Sequence, residues 1–140
     1  MVIILLRLKK IIPNFQLNSR ELESTKEKGR KGETIAAEFL ESKGYVIKKR
    51  NFHFGKNGEI DIIAEKDNEL AFVEVKFRTS RTYGDPLESI TPKKAHTLRR
   101  IAEGYLYVNK ITDMACRIDI IIVDFRNDEP EITHLENAVY

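Results

Sequence analysis

Hydrophobic residues recur at helical spacing in two segments of the chain. In residues 26–43, apolar side chains return every three or four positions, and Gly44 follows as a residue typical of helix ends. The second segment begins at Thr91, a good N-cap, with Pro92 in the first turn and a further apolar stripe behind it. The pattern therefore predicts two helices, each with one apolar face.

Other segments are rich in Ile, Val and Phe, and they predict strands. Three follow the first helix and two follow the second, at residues 45–51, 58–65, 69–78, 117–125 and 131–135. The predicted order is α-β-β-β-α-β-β, which indicates a mixed α/β domain with a central sheet. The connection over residues 79–90 is long enough for a mobile flap, although a plain connection is the alternative.

The start of the chain fits neither pattern. An apolar run from Met1 to Leu6 is followed by basic residues and is too short to span a bilayer. We predict a loosely ordered extension over residues 1–25, with a partner-binding or interfacial segment as the alternative, and one domain over residues 26–140.

Composition agrees with a soluble, cytoplasmic protein that has no membrane partner. The 140 residues are 41% hydrophobic and 33% charged. Cys116 is the single cysteine, so the chain can form neither an intrachain disulfide nor a thiolate metal site. The net charge of +2 and the pI near 8.6 permit a polyanionic partner without requiring one.

The second and third predicted strands form a hairpin with an unusual pair of acids. If Asp67 and Asn68 form the tip, residues whose numbers add up to 135 lie opposite each other. This register sets Asp61 opposite Glu74 and Glu59 opposite Lys76. The second pair could be an ordinary ion pair, but two adjacent acids repel each other and need a cation. A divalent metal is one candidate, and because oxygen ligands suit hard cations, Mg²⁺, Mn²⁺ or Ca²⁺ is favoured over Zn²⁺.

One further acid and the histidines bear on the same site. Glu33 lies on the apolar side of the first helix, where it either stabilises the first turn or points towards the hairpin acids. His53, His96 and His134 are too scattered to indicate a metal site, and we expect each at the surface or at a cap.

Asp61 followed by Glu74-Val75-Lys76 resembles the PD-(D/E)XK nuclease signature without its proline. A longer set of residues resembles the bacterial YraN family, also called UPF0102, whose members are endonuclease-like proteins similar to archaeal Holliday junction resolvases. These residues are Gly32-Glu33, Arg50-Asn51-Phe52, Gly58-Glu59-Ile60-Asp61, Phe72-Val73-Glu74-Val75-Lys76, Arg78, Tyr83-Gly84, Lys93 and Arg117-Ile118-Asp119.

The resemblance implies a restriction-endonuclease-like fold and a role for each site residue. Asp61, Glu74 and the Val75 carbonyl would bind the metal, Lys76 would orient or activate the attacking water, and Glu33 would complete the catalytic set. The implied function is metal-dependent endonuclease action on DNA, with branched DNA as a candidate substrate and a homodimer as a candidate assembly. The alternative is a nucleic-acid-binding protein that keeps the fold without cleavage.

Basic residues in neighbouring segments could contact the DNA backbone. For any one of them, a solvated surface charge is the simpler interpretation. The candidates are Lys48, Lys49, Arg50, Arg78, Arg81, Lys93, Lys94, Arg99 and Arg100.

Overall fold

The computed structural model describes residues 3–7, 25–56, 58–79, 85–127 and 129–139. The chain forms two long helices and six strands, with a short 3₁₀ helix at Pro86–Ser89. In chain order the elements are β1 (Ile3–Arg7), α1 (Thr25–Ser42), β2 (Val46–His53), β3 (Glu59–Lys66), β4 (Glu69–Arg78), α2 (Pro92–Val108), β5 (Ala115–Asp124) and β6 (Glu131–Val139). The predicted order of elements from the first helix onward is confirmed.

All six strands form one mixed sheet in the order β1-β6-β5-β4-β3-β2. Strands β4 and β5 run parallel, whereas the other neighbouring pairs run antiparallel. The parallel pair follows from α2, which crosses from the end of β4 back to the start of β5. The mixed α/β class is thereby confirmed, and the arrangement is consistent with the predicted restriction-endonuclease-like fold.

Each helix has the capping contact that the sequence indicated, α1 at its C-terminal end and α2 at its N-terminal end. At the end of α1, Gly44 has a φ of +91°, its N–H donates to Glu41 O, and Tyr45 N–H donates to Leu40 O. These two bonds form the glycine-dependent stop known as a Schellman motif. At the start of α2, Thr91 Oγ1 accepts the N–H of Lys94 at 3.1 Å.

Each helix covers one face of the sheet with its apolar stripe. Under α1, side chains such as Phe39 and Leu40 pack on Val73, Val75 and other residues of the sheet. Under α2, side chains such as Leu98 and Ile101 pack on Leu70, Phe72 and Ile120. The alternation along β4 therefore sends odd-numbered residues to α1 and even-numbered residues to α2.

The structure differs from the sequence prediction near the N-terminus. Residues Ile3–Arg7 pair with β6 as an antiparallel edge strand, although they belong to the segment expected to be a loose extension. Residues 8–24 lie outside the described ranges, as do residues 80–84 of the predicted flap. No helix in the described part of the chain is long and apolar enough to cross a membrane.

A polar network is buried on the α1 side of the sheet. Asp119 is fully buried and accepts bonds from Arg117 Nε at 3.0 Å and from the backbone N–H of Asn137 at 2.9 Å. His134 Nε2 lies 2.8 Å from Asp119 Oδ2, and Arg117 also bonds the hydroxyl of Tyr45. The expectation of a surface or cap position was therefore wrong for His134, which is only 1% exposed.

Candidate metal and phosphodiester site

The candidate site forms where β3 and β4 separate. The predicted hairpin register is confirmed from Lys66 opposite Glu69 to Ile62 opposite Val73, where the ladder between these strands ends. Beyond that point β3 continues to pair with β2, and β4 continues to pair with β5. The two strands thus form a fork, and the acids occupy its opening.

If the hairpin register continued, Asp61 would lie opposite Glu74, but the pairing of the two strands ends one residue before them. Instead of lying beside Glu74 in a paired position, Asp61 uses its side chain to bridge the strands. Its Oδ2 atom accepts the backbone N–H of Val75 at 2.7 Å. The direct strand pairing predicted for these two acids is therefore wrong, because the strands diverge where the carboxylate takes the place of a backbone partner.

Three carboxylates converge on the α1 side of the fork. One oxygen each from Glu33, Glu59 and Asp61 lies within 4.8 Å of the others. Glu33 comes from α1, whereas the other two come from alternate positions of β3. Of the two interpretations of Glu33, the structure therefore agrees with the one in which its carboxylate points towards the hairpin acids.

Burial and mutual repulsion raise the pKa of Asp61 and of Glu33. The pKa of Asp61 is raised to about 8, and burial is the largest cause. The negative charges of Glu74, Glu33 and Glu59 also raise this pKa, whereas the hydrogen bond from the Val75 N–H lowers it. The pKa of Glu33 is also raised, mainly by burial and by Glu59. The cluster therefore carries unfavourable negative charge, which a bound cation would relieve.

Glu74 contributes a carboxylate from β4 that is held between two lysines, and its charge acts on both Asp61 and Glu33. Lys76 Nζ lies 3.3 Å from Glu74 Oε1, and Lys94 Nζ lies 3.4 Å from the same oxygen. The second oxygen, Oε2, is buried and has no hydrogen-bond partner within the described structure. A buried carboxylate oxygen without a partner is costly, and this one is available to a ligand.

The predicted pairing of Glu59 with Lys76 is wrong. Glu59 Oε2 lies 3.0 Å from His53 Nε2, its cross-strand neighbour on β2, whereas Lys76 contacts Glu74. Glu59 is thus a member of the acidic cluster that the sequence reasoning missed. Its position two residues before Asp61 was the available signal, because residues two apart on a strand share a face.

A break in the alternation of side chains between the two sheet faces brings the acids to the α1 side. Asn51 on β2 has a φ of +51° and lies opposite Asp61 in the β2–β3 register. On either side of this position, Phe52 and Ile60 pack under α2, whereas Ile62 packs under α1. The Asn51 side chain also hydrogen-bonds the Glu33 carboxylate. At this left-handed residue, the alternation of side chains between the two faces of the sheet therefore shifts by one position in both strands.

The predicted basic residues do not all gather in one place. Lys94 is part of the site, and Lys93 and Arg100 line a groove next to it together with His96 and Phe54. The other candidates have separate positions: Lys48 pairs with Glu65, Lys49 is exposed on β2, Arg50 bonds Thr34, Arg78 is partly buried, and Arg99 lines a different depression. Arg81 lies outside the described residues.

The donor set is suited to a hard divalent cation. It consists of carboxylate oxygens, and the described part of the site brings neither a cysteine nor a neutral histidine pair to them. Mg²⁺ and Mn²⁺ prefer such oxygen donors. Asp61, Glu33 and Glu59 could hold the cation, and the unpartnered Oε2 atom of Glu74 could join them. The role of the Val75 carbonyl as a further ligand stays a prediction.

Comparison with known sequences identifies relatives of the chain. A sequence model of the Uncharacterised protein family UPF0102 matches residues 32–123, which include all four acids and Lys76. A UPF0102 protein of Leifsonia xyli is 45% identical over 114 residues, covering 81% of this chain and 96% of its own length.

Two further relatives agree with this assignment. A UPF0102 protein of Chlorobaculum parvum is 47% identical over 116 residues, with 79% of this chain and 89% of the relative covered. One from Natranaerobius thermophilus is 43% identical over 117 residues, with 82% and 98% covered. On this shared length and identity, the chain belongs to the uncharacterised protein family UPF0102.

Proposed function

We propose that this protein is a metal-dependent nuclease that hydrolyses phosphodiester bonds in DNA. The observation that carries the proposal is the convergence of Glu33, Glu59 and Asp61 at the β3–β4 fork, where the charge of Glu74 also acts on Asp61. A purely structural role accounts poorly for this set, because buried and half-buried acids repel one another and destabilise the fold that holds them together.

A divalent cation bound by these acids would polarise a phosphate and lower the pKa of a bound water. The chain's own groups would perform the remaining tasks. Asp61 is fixed in orientation by the Val75 N–H, which leaves its carboxylate little freedom to move. Such preorganisation reduces the free energy needed to align reacting groups.

Lys76 is positioned to contact the reacting phosphate. Its ammonium is held 3.3 Å from Glu74 Oε1 and its side chain is one-quarter exposed, so it can reach incoming substrate. A fixed positive charge there would stabilise the negative charge that develops on the phosphate oxygens in the transition state. It could also orient the attacking water by hydrogen bonding.

One observation favours the alternative of a DNA-binding protein that does not cut. Both Lys76 and Lys94 contact the same oxygen of Glu74, so two protein cations already balance part of the acidic charge. If these contacts persist with DNA bound, Glu74 would be a weak metal ligand. The site would then serve recognition of the phosphate backbone through its lysines.

A cleavage assay separates the two functions. Purified protein is incubated with linear, nicked, flapped and four-way DNA in Mg²⁺, in Mn²⁺ and in EDTA. We expect metal-dependent products from the wild type, and their loss in Glu74→Gln and in Lys76→Ala. The matched control is Glu65→Gln, which changes an acid of β3 that pairs with Lys48 outside the cluster.

The same preparations are tested for DNA binding in EDTA. Retained binding by the two inactive variants would place their defect in the chemical step. Binding without cleavage by the wild type, in either metal and across the accessible pH range, would establish the binding protein instead. If the wild type neither binds nor cuts DNA, both functions are refuted.

A further inference from the structure

A groove of about 470 Å³ runs between the connection after β2 and the exposed side of α2. Its lining combines one aromatic ring, Phe54, with the basic residues Lys93 and Arg100. His96 and the side chain of Ile101 also line the groove. No acidic residue lines the groove within the described part of the chain, although Asp and Glu make up 22 of the 140 residues.

The Phe54 ring is held in the groove by a glycine of α2. Gly104 is buried in the helix, and a β-carbon at that position would collide with the ring at Cγ, Cδ1 and Cδ2. The ring therefore lies directly against the helix backbone. Phe54 nevertheless remains 41% exposed, so part of the ring stays open to solvent.

Both walls of the groove lead along the chain to residues of the acidic site. In the first wall, the chain leads from Phe54 to Gly58, where an added methyl group would lie 3.8 Å from Thr97 Cγ2, and then directly to Glu59. In the second wall, Lys93 is followed by Lys94, whose ammonium contacts Glu74. The groove and the Lys94–Glu74 contact are therefore both formed by the first turns of α2.

We infer that the groove binds one unpaired nucleotide next to the cleaved phosphodiester bond. This inference rests on the proposed function and names its substrate class: DNA with a single-stranded segment or a displaced base beside the cut. The exposed side of Phe54 stacks on the base, and Lys93 and Arg100 contact the phosphate that follows it. A flat aromatic base joined to an anion matches the lining in shape and charge.

The size of the groove favours an unpaired nucleotide over a duplex. Pockets for small organic ligands measure roughly 300–1,000 Å³, so the space suits one nucleotide. A paired base is already stacked within its helix and cannot present its face to Phe54. Intact duplex DNA would lie across the basic residues without filling the groove.

Binding of matched DNAs tests the inference without any cleavage. A labelled duplex with a short single-stranded flap is compared with the fully paired duplex by fluorescence anisotropy in EDTA. We expect the wild type to bind the flapped DNA roughly tenfold more tightly, as one base–aromatic contact would provide. Phe54→Ala should lose this preference while its affinity for the paired duplex stays unchanged.

Two further variants keep the test independent of folding. Phe54→Trp retains a stacking surface and should retain the preference. Gly104→Ala changes no charge and improves helix propensity, yet it displaces the ring, so it should lose the preference without loss of helix content. Tyr107→Ala is the control for an exposed aromatic residue, because Tyr107 is 81% exposed on the same helix and does not line the groove.

The outcomes distinguish this inference from the proposed chemistry. Equal affinity of the wild type for the two DNAs, or a flap preference that survives in Phe54→Ala, would overturn the inference even if the protein cuts DNA. A flap preference that depends on Phe54 would support it. If the protein shows that preference but never cleaves with metal, the nuclease proposal fails and the groove assignment stands.

Discussion

Asp61 is the residue whose environment is most costly among the site acids. Its carboxylate is 7% exposed, accepts one backbone N–H and lies near three other acids. Asp61 was identifiable from sequence because it lies in an apolar strand opposite another acid in the hairpin register. Its bridge to Val75 was not, because hairpin pairing rules do not show where two strands separate.

This environment predicts how the stability of the metal-free protein depends on pH. The carboxyl pKa of Asp61 rises from 3.8, its ordinary value, to about 8 in the folded protein. Between those values the folded state retains a proton that the unfolded state has released. The free energy of unfolding should therefore fall as the pH rises from about 4 to about 8, at no more than about 1.4 kcal/mol per pH unit for one proton.

Urea unfolding in EDTA across this pH range checks the prediction. Asp61→Asn removes the titrating group, so its stability should vary less steeply with pH than that of the wild type. Glu65→Gln should keep the wild-type slope. The same slope in wild type and Asp61→Asn would show that the Asp61 carboxyl does not contribute to the pH dependence.

Metal binding should relieve the repulsion at the same residues. Calorimetric titration with Mn²⁺ is expected to detect a site in the wild type, weaker binding in Glu59→Gln and no measurable binding in Asp61→Asn. Mn²⁺ should also raise the midpoint of thermal unfolding of the wild type, because a ligand that binds only the folded state stabilises it. Equal Mn²⁺ affinity in wild type and Asp61→Asn would move the metal site elsewhere.

At the scale of elements, α2 supplies Lys94 to the site, and its first turn depends on Thr91. The Thr91 hydroxyl accepts the N–H of Lys94 itself. We expect Thr91→Ala to lower the free energy of unfolding by about 1 kcal/mol, as for the loss of a typical N-cap. Thr91→Ser keeps the hydroxyl and should restore most of that stability in urea unfolding. Equal losses in both variants would argue against the cap.

The helices and strands were largely predictable from the sequence, but the sheet face on which the site residues lie was not. Apolar spacing and the signals at Gly44, Thr91 and Pro92 identified both helices, since these features act locally. Strict alternation fails at Asn51, where a positive φ resets which residues of β2 and β3 face α1. A single left-handed residue in a strand leaves no periodic signal, so the convergence of Glu59 with Glu33 could not be predicted in full.

For the whole molecule, contacts between distant segments were the least visible feature of the sequence. His134 on β6 reaches Asp119 on β5, and Arg117 reaches Tyr45, which precedes β2. No local pattern marks such a network, because its members come from different elements. The tip at Asp67 and Asn68, in contrast, fixed the β3–β4 register correctly because a two-residue turn leaves few alternatives.

The buried network should contribute to global stability. Replacement of His134 by Ala removes one partner of the buried Asp119 carboxylate, so we expect a loss of about 1–3 kcal/mol in the free energy of unfolding. Urea unfolding measures it, with His96→Ala as the exposed control, expected to change stability by less than about 0.5 kcal/mol. A His134→Ala variant as stable as the wild type would contradict the role of this pair.

The face that carries Lys93 and Arg100 should dominate binding to the DNA backbone. Replacing both residues by Ala should weaken binding to duplex DNA. The slope of log affinity against log salt should fall by about 0.9 for each phosphate that the variant no longer neutralises. Lys110→Gln, beyond the far end of α2, is the charge control. An unchanged salt dependence in the double variant would place the DNA on another surface.

The most direct measurement of the central claim is the Mn²⁺-dependent rate of DNA cleavage with enzyme in excess, for wild type, Asp61→Asn and Glu65→Gln. These conditions report the chemical step on bound DNA rather than binding or product release. We predict cleavage by wild type and Glu65→Gln, and a rate at least about 100-fold lower in Asp61→Asn, as typical for loss of a key charge-stabilising group. Equal cleavage rates in all three proteins would contradict hydrolysis at this acidic cluster.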